Sequence, residues 1–224
     1  MAVILAIDTA TRFISLALHD GQRLLLEHTW LTANNHTVEL APAIRAAFAQ
    51  TRTTPSNLSA IAVSQGPGSF TGLRIGMGVA KGLALATGCP LVAVPTLEIV
   101  AAAVPVAPEP LVAILQAGRG RLCAQMFRAA DDRWEPVAPS AIVTWERLLT
   151  ALDGAALLTG EIDDGGREML AACRQPVRVL PAAVTLRRAG FLAEIALSRL
   201  AAGQSADPRS VTPIYLHQPG AAQP

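Results

Sequence analysis

The apolar runs of this chain return in the same order halfway along it, and that repetition restricts the fold more than any motif does. Val3 to Asp8 is a continuous apolar run closed by an acid. Phe13 to His19 alternates across the next stretch, and Arg23 to Trp30 follows the Asp20-Gly21 turn signal, so the opening reads as three strands. Val38, Leu40, Ala41, Ile44, Ala47 and Phe48 recur at helical spacing, which predicts an amphipathic helix over 37–50. A buried strand at 61–64, a helix at 73–87 and a strand at 91–94 complete the first copy. The second copy runs through strands at 111–115, 122–128 and 134–137, a helix at 144–152, a strand at 156–159, a helix at 165–173, a strand at 177–180 and a helix at 185–202. Val104 to Pro110, rich in Pro, Ala and Val, joins them. A meander feeding alternating helices and strands calls for a mixed sheet with helices on its faces. Two in tandem predict a duplicated α/β fold, with lobes over 1–105 and 106–224 and a cleft between them.

Composition narrows the partners. With 18 basic and 17 acidic residues the net charge is +1, so no overall field draws in nucleic acid or an anionic membrane, and any RNA contact has to be local. The opening MAVILAIDTATRF has no basic n-region and no small-residue cleavage site, so it reads as a buried strand and not a signal peptide. No window reaches the roughly 18 to 20 apolar residues that span a bilayer. Cys89, Cys123 and Cys173 are odd in number and far apart, which suggests neither a disulfide framework nor a CxxC metal site. The expected location is the cytoplasm.

The stretch SQGPGSFTGLR, Ser64 to Arg74, has the composition of a phosphate loop but not the spacing. A P-loop needs G-x-x-x-x-G-K-[ST], and the cation here is Arg74. The dinucleotide fingerprint fails because Thr71 stands at its third glycine. Ser69 and Thr71 can still cap a helix whose amides attract an anion, and a tight strand-to-helix turn explains the same residues. Asp8-Thr9-Ala10-Thr11 ends the first strand with an acid and hydroxyls, the arrangement with which sugar kinases and actin-like ATPases hold phosphate and metal-bound water. The matching place in the second copy is Gln116, which lacks the charge that magnesium favours. His36 would need a second histidine at position 40 for a helical metal pair, and Leu40 is there. His19, His28 and His217 are isolated, and Arg119 and Arg121 flank Gly120 in an expected hairpin.

The helix after the loop is unusually rich in glycine. Gly72, Gly76, Ala80 and Ala84 make one row and Gly78, Gly82 and Ala86 another. Glycine inside a helix costs about 0.5 to 1 kcal/mol relative to alanine. Close approach of another backbone would offset that cost, whether it belongs to this chain or to a partner.

ILAIDTATRFISLAL, HTVELAPAI and AVSQGPGSFTGLRIGMGVAKGLALATGCPLVAVPTLE resemble the TsaB (YeaZ) family, densely over roughly the first hundred residues. Beyond the joint the likeness thins to scattered matches such as PIYL, Pro213 to Leu216. The resemblance implies a duplicated ribonuclease H-like, actin-like ATPase (ASKHA) fold. It also implies a non-catalytic dimerisation subunit in tRNA threonylcarbamoyladenosine synthesis. In that scheme TsaC makes threonylcarbamoyl adenylate, and the subunit pairs with TsaD, the catalytic paralogue with a metal-binding H-x-x-x-H. With the ATPase TsaE, the complex transfers the threonylcarbamoyl group to N6 of adenosine 37 in tRNA.

Carried onto this chain, the pairing surface in the N-terminal lobe uses His36, Leu40, Ile44 and Phe48 with Leu73, Arg74, Gly76, Met77, Ala80, Lys81 and Leu85. Asp8, Thr9, Thr11, Gly66, Gly68, Ser69, Thr71 and Gly72 would form a vestigial phosphate loop. The expectations are no metal, no tightly bound cofactor, ATP or ADP only at the complex interface, tRNA only through the complex, and a homodimer when isolated. The last helix is free to pack back on the first lobe. Many members have D-A-R where this chain has Gln116-Ala117-Gly118-Arg119, which weakens any nucleotide role for the second lobe. An actin-like ATPase or small-molecule kinase, and a metallopeptidase-like hydrolase, are the competing functions.

Overall fold

The structure is a computed structural model and describes residues 3–33 and 35–216. Its elements, in chain order, are β1 (Val3–Asp8), β2 (Phe13–His19), β3 (Leu24–Leu31), α1 (His36–Thr51), β4 (Leu58–Gly66), α2 (Phe70–Thr87), β5 (Leu91–Pro95) and α3 (Thr96–Ala102). There follow β6 (Leu111–Gln116), β7 (Arg121–Ala130), β8 (Arg133–Pro136), β9 (Ala141–Thr144), α4 (Trp145–Thr150), β10 (Ala156–Gly160), α5 (Asp164–Ala171), β11 (Val177–Val179), α6 (Ala182–Thr185) and α7 (Ala189–Ala201).

The chain forms two compact units, Met1–Ile99 with Arg187–Ile214, and Val100–Leu186 with Tyr215–Pro224. The first division thus falls shortly before residue 105, and the chain rejoins the first unit at Arg187. In the first unit the strand order is β3-β2-β1-β4-β5, with the meander antiparallel and β1, β4 and β5 parallel. In the second it is β8-β7-β6-β10-β11, with the same senses, and β9 pairs with β7 off this path. Each strand of the first sheet has its counterpart in the second, which adds β9: this is the duplicated ribonuclease H-like, actin-like ATPase fold.

β1 is central to its sheet and buried on both faces. Val3, Leu5 and Ile7 join Leu40, Ile44 and Phe48 of α1 and Met77, Ala80 and Ala84 of α2 in one core. Ile4 and Ala6 join Ala189, Leu192, Ala193 and Ala196 of α7 in the other. The alternation of side chains along a strand thereby sorts the helices onto two faces. Among the described residues no helix is long and apolar enough to cross a membrane.

The structure departs from the expected elements in three ways. α3 and β9 have no counterpart in the sequence reading; both are short, and α3 lies in an apolar run without clear periodicity. α2 starts at Phe70, because the Ser69 hydroxyl accepts the Gly72 N–H and caps the helix three residues early. The helix expected over 185–202 is broken: Leu186 and Arg188 are extended, and α7 begins only at Ala189. That break allows Arg187 to turn inward.

Candidate functional site

Asp8 lies at the carboxyl end of β1 and is fully buried, so its charge requires a partner. Arg187, also buried, supplies it from the break before α7: its Nε donates to Asp8 Oδ2 at 2.9 Å. The other carboxylate oxygen accepts the Ala10 N–H at 2.9 Å. Arg187 Nη2 continues to Thr11 Oγ1 at 2.7 Å and to the Phe13 carbonyl at 3.4 Å. The acid that sequence alone offers as part of a vestigial phosphate loop is thus the anchor of an ion pair inside its own unit. Arg187 was missed because periodicity alone placed it in a helix. The signal that could have found it is the buried acid's need for a cation.

The same turn holds the starts of α1 and α2. Thr9 Oγ1 donates to the Gly72 carbonyl at 2.8 Å, and Ser69 N–H donates to the Ala10 carbonyl at 2.6 Å, at the start of α2. His36, the first residue of α1, is buried, with Nε2 at 2.9 Å from the Thr11 carbonyl. A carbonyl can only accept, so Nε2 carries the proton. The glycines serve this packing. A Cβ at Gly68 would collide with the Ala10 carbonyl, one at Gly72 with the Thr9 carbonyl, and one at Gly76 with the Thr9 hydroxyl. Gly66, at φ +112, would meet the Ile214 carbonyl. Thr71 is exposed, whereas the amides of Ser69, Gly72 and Leu73 are already bonded within the chain.

The expected pairing residues separate into two sets. His36, Leu40, Ile44, Phe48, Leu73, Gly76, Met77 and Ala80 are buried within their own unit, so their side chains do not form a surface. The Gly72–Gly76–Ala80 row faces inward because Thr9 lies against it. Arg74 and Leu85 are exposed, and the Arg74 guanidinium sits 3.7 Å from the centroid of the Phe70 ring. Lys81 is half-buried and donates to the carbonyls of Val211 at 3.0 Å and Arg209 at 3.5 Å, which ties down the segment after α7. The second row is the open one: Gly78 and Gly82 have nothing within 4 Å of a Cβ. With Arg74 and Leu85 they form the outward stripe of α2. Neighbouring α1 exposes Val38, Ala41, Pro42, Arg45 and Ala49.

In the second unit, Gln116 ends β6 as Asp8 ends β1. Its N–H donates to Glu161 Oε2 at 3.2 Å and its side-chain amide to the Glu161 carbonyl at 3.0 Å. Glu161, directly after β10, went unnoticed in the sequence. Gly118, Arg119 and Gly120 all have positive φ in the hairpin that follows β6. Burial pushes the nearby Cys123 thiol up to about 11, against the pull of Arg121. Elsewhere, His19 Nε2 lies 2.9 Å from Glu194 and His28 stacks on Trp30, while His217 lies outside the described residues. Among the described residues, no three His, Cys, Asp or Glu side chains come together to hold a metal.

A family model described as TsaD: tRNA N6-adenosine threonylcarbamoyltransferase matches residues 30–188. The tRNA threonylcarbamoyladenosine biosynthesis protein TsaB of Bacillus subtilis (strain 168) is 31% identical over 170 residues, which cover 75% of this chain and 74% of that protein. TsaB of Escherichia coli (strain K12) is 43% identical over 95 residues, 42% of this chain and 40% of that protein. Among solved structures, YeaZ from Pseudomonas aeruginosa superimposes with a TM-score of 0.82 at 28% identity, covering 96% of this chain and 100% of that one. With both lobes matched in structure and three quarters of the sequence aligned, the chain belongs to the TsaB (YeaZ) family of tRNA threonylcarbamoyladenosine biosynthesis proteins.

Proposed function

We propose that this chain is the non-catalytic subunit of a tRNA threonylcarbamoyltransferase complex, and that it binds a TsaD-type catalytic paralogue through the outward faces of α1 and α2. The observation that carries this reading is the open glycine row. Gly78 and Gly82 cost α2 about 0.5 to 1 kcal/mol each, and nothing within the chain approaches either. A partner helix brought close to that bare backbone would offset the cost. Leu40 stands where a second metal ligand would be needed, and it is core. Asp8 has both oxygens engaged by its own chain.

On this reading TsaE joins the heterodimer, tRNA is met only through the complex, ATP or ADP binds at the complex interface, and the isolated chain self-associates through the same face. The complex works in the cytoplasm. The test is co-purification with a TsaD-type partner and restoration of threonylcarbamoyl transfer to a mixture of TsaC, TsaD and TsaE. Gly78→Leu with Gly82→Leu should abolish the heterodimer while the chain stays folded. Unchanged pairing in that variant would place the interface elsewhere.

The match to a model named for the transferase favours a second reading, in which the chain itself transfers the group. Transfer by the purified chain and TsaC without TsaD would establish it.

A further inference from the structure

We infer that Arg187 is a positioning residue for the α1–α2 docking face, acting through the Asp8–Thr11 turn. The inference rests on the proposed pairing for its functional consequence and on geometry alone for its structural part. The sheet does not hold this turn. Pairing of β1 with β2 ends at Asp8 and Ser15, and pairing of β1 with β4 ends at Ile7 and Val63. Beyond that point, side-chain bonds and the Ser69 N–H to Ala10 carbonyl bond decide where Thr9, Ala10 and Thr11 lie.

Arg187 grips the turn at both ends, at Asp8 and at Thr11 with Phe13. From the other side the turn holds the first residue of α1 through His36 and the first turn of α2 through Gly72 and Ser69. The glycines remove any slack. Thr9 lies directly on Gly72 and Gly76, so a shift of the turn is passed to the α2 backbone and is not absorbed by a flexible side chain. An arginine that follows α6, far along the chain, thereby sets where two N-terminal helices begin.

The test separates positioning from mere stabilisation. Thr11→Val removes the Nη2 acceptor, which also accepts the Phe13 N–H at 3.3 Å, with little change of shape, and Arg187→Lys keeps a charge for Asp8 while giving up the forked contact. Ser15→Ala is the control: it removes the acceptor of the Ala189 N–H at the start of α7 and the hydroxyl contact to Thr29 on β3, neither of them a bond of the turn. Amide exchange is measured on the free chain at Val38, Glu39, Ser69 and Leu73, whose N–H groups bond at the two helix starts. Affinity for a TsaD-type partner is measured on the same proteins. Thr11→Val and Arg187→Lys should each raise exchange at these amides about tenfold, and weaken the partner affinity about tenfold, on the scale of a buried hydrogen bond. Ser15→Ala should lower thermal stability yet leave both readouts at wild-type values.

Exchange in Thr11→Val and Arg187→Lys that matches the control would overturn the inference. So would faster exchange with undiminished affinity. If the wild-type chain binds no TsaD-type partner, the functional reading fails, and the exchange rates alone decide whether Arg187 sets the helix starts.

Discussion

The ends of β1 and β6 occupy the same place in two copies of one fold, and they are built in different ways. At the first, a buried carboxylate is locked by a buried guanidinium, and the turn beyond it ties down two long helices. At the second, a half-buried amide meets Glu161 and the chain leaves through a glycine hairpin. The helices differ to match: α1 and α2 have 16 and 18 residues, α4 and α5 only 6 and 8. Duplicated topology gives two equal frames, and the side chains at the strand ends decide which one presents a stiff helical surface.

Removing the side-chain partner at each strand end should break that contrast most sharply. Asp8→Asn or Arg187→Met strands a buried charge and should cost about 3 to 5 kcal/mol in urea unfolding, with the double variant recovering much of the loss. Gln116→Ala should cost about 1 kcal/mol, the worth of an ordinary hydrogen bond. Equal losses at the two ends would show that the first is not specially locked.

The two glycine rows of α2 sharpen the comparison at a smaller scale. Gly76→Ala forces a methyl group into Thr9 and should cost about 1 to 3 kcal/mol. Gly78→Ala fills open space and should stabilise the free chain by about 0.5 to 1 kcal/mol, read as a higher Tm. A drop in Tm for Gly78→Ala would mean that the row is not open.

Two carboxyl groups in the first unit should titrate in opposite directions from 4.5. The Trp30 indole N–H, 2.7 Å from Glu39, holds that carboxyl below the value, so its stabilising contribution is present above 4.5 and lost as pH falls through its folded pKa. The Trp30 indole resonance should report a midpoint under 4.5. Burial raises Glu98, with Arg199 opposing, so its contribution is full below 4.5 and lost as pH rises through its folded pKa. Carboxyl carbon shifts for Glu98 should give a midpoint above 4.5.

The smallest effect expected is chemical. With its thiol near 11, Cys123 should hold about a thousandth of its population as thiolate at pH 8 and react with a disulfide reagent far more slowly in the folded than in the unfolded chain. Equal rates would place Cys123 outside the core of the second unit.

Much of this architecture is legible in the sequence because strand and helix periods are local. β1, β2 and β5 fall where the apolar runs place them, and the repeated order gives the duplicated fold. The inward row of α2 misleads for a physical reason: a glycine series marks a close backbone approach but carries no information on what approaches. Gly76 answers to Thr9 of its own chain, while Gly78 and Gly82 remain bare. Arg187 was hidden by the opposite effect, since apolar periodicity on either side of it suggested one unbroken helix.

The sequence by itself determined the frame and membership of a family through a dense N-terminal motif, because these depend on residues near one another in the chain. Only the tertiary structure decided that Asp8 is locked in a buried ion pair with Arg187. Its partner lies 179 residues away, and a buried charge takes whichever cation folding delivers to it. The same holds for the outward face of α2: which side of that helix meets solvent was settled by where the Asp8–Thr11 turn packs, a fact that no local pattern contains.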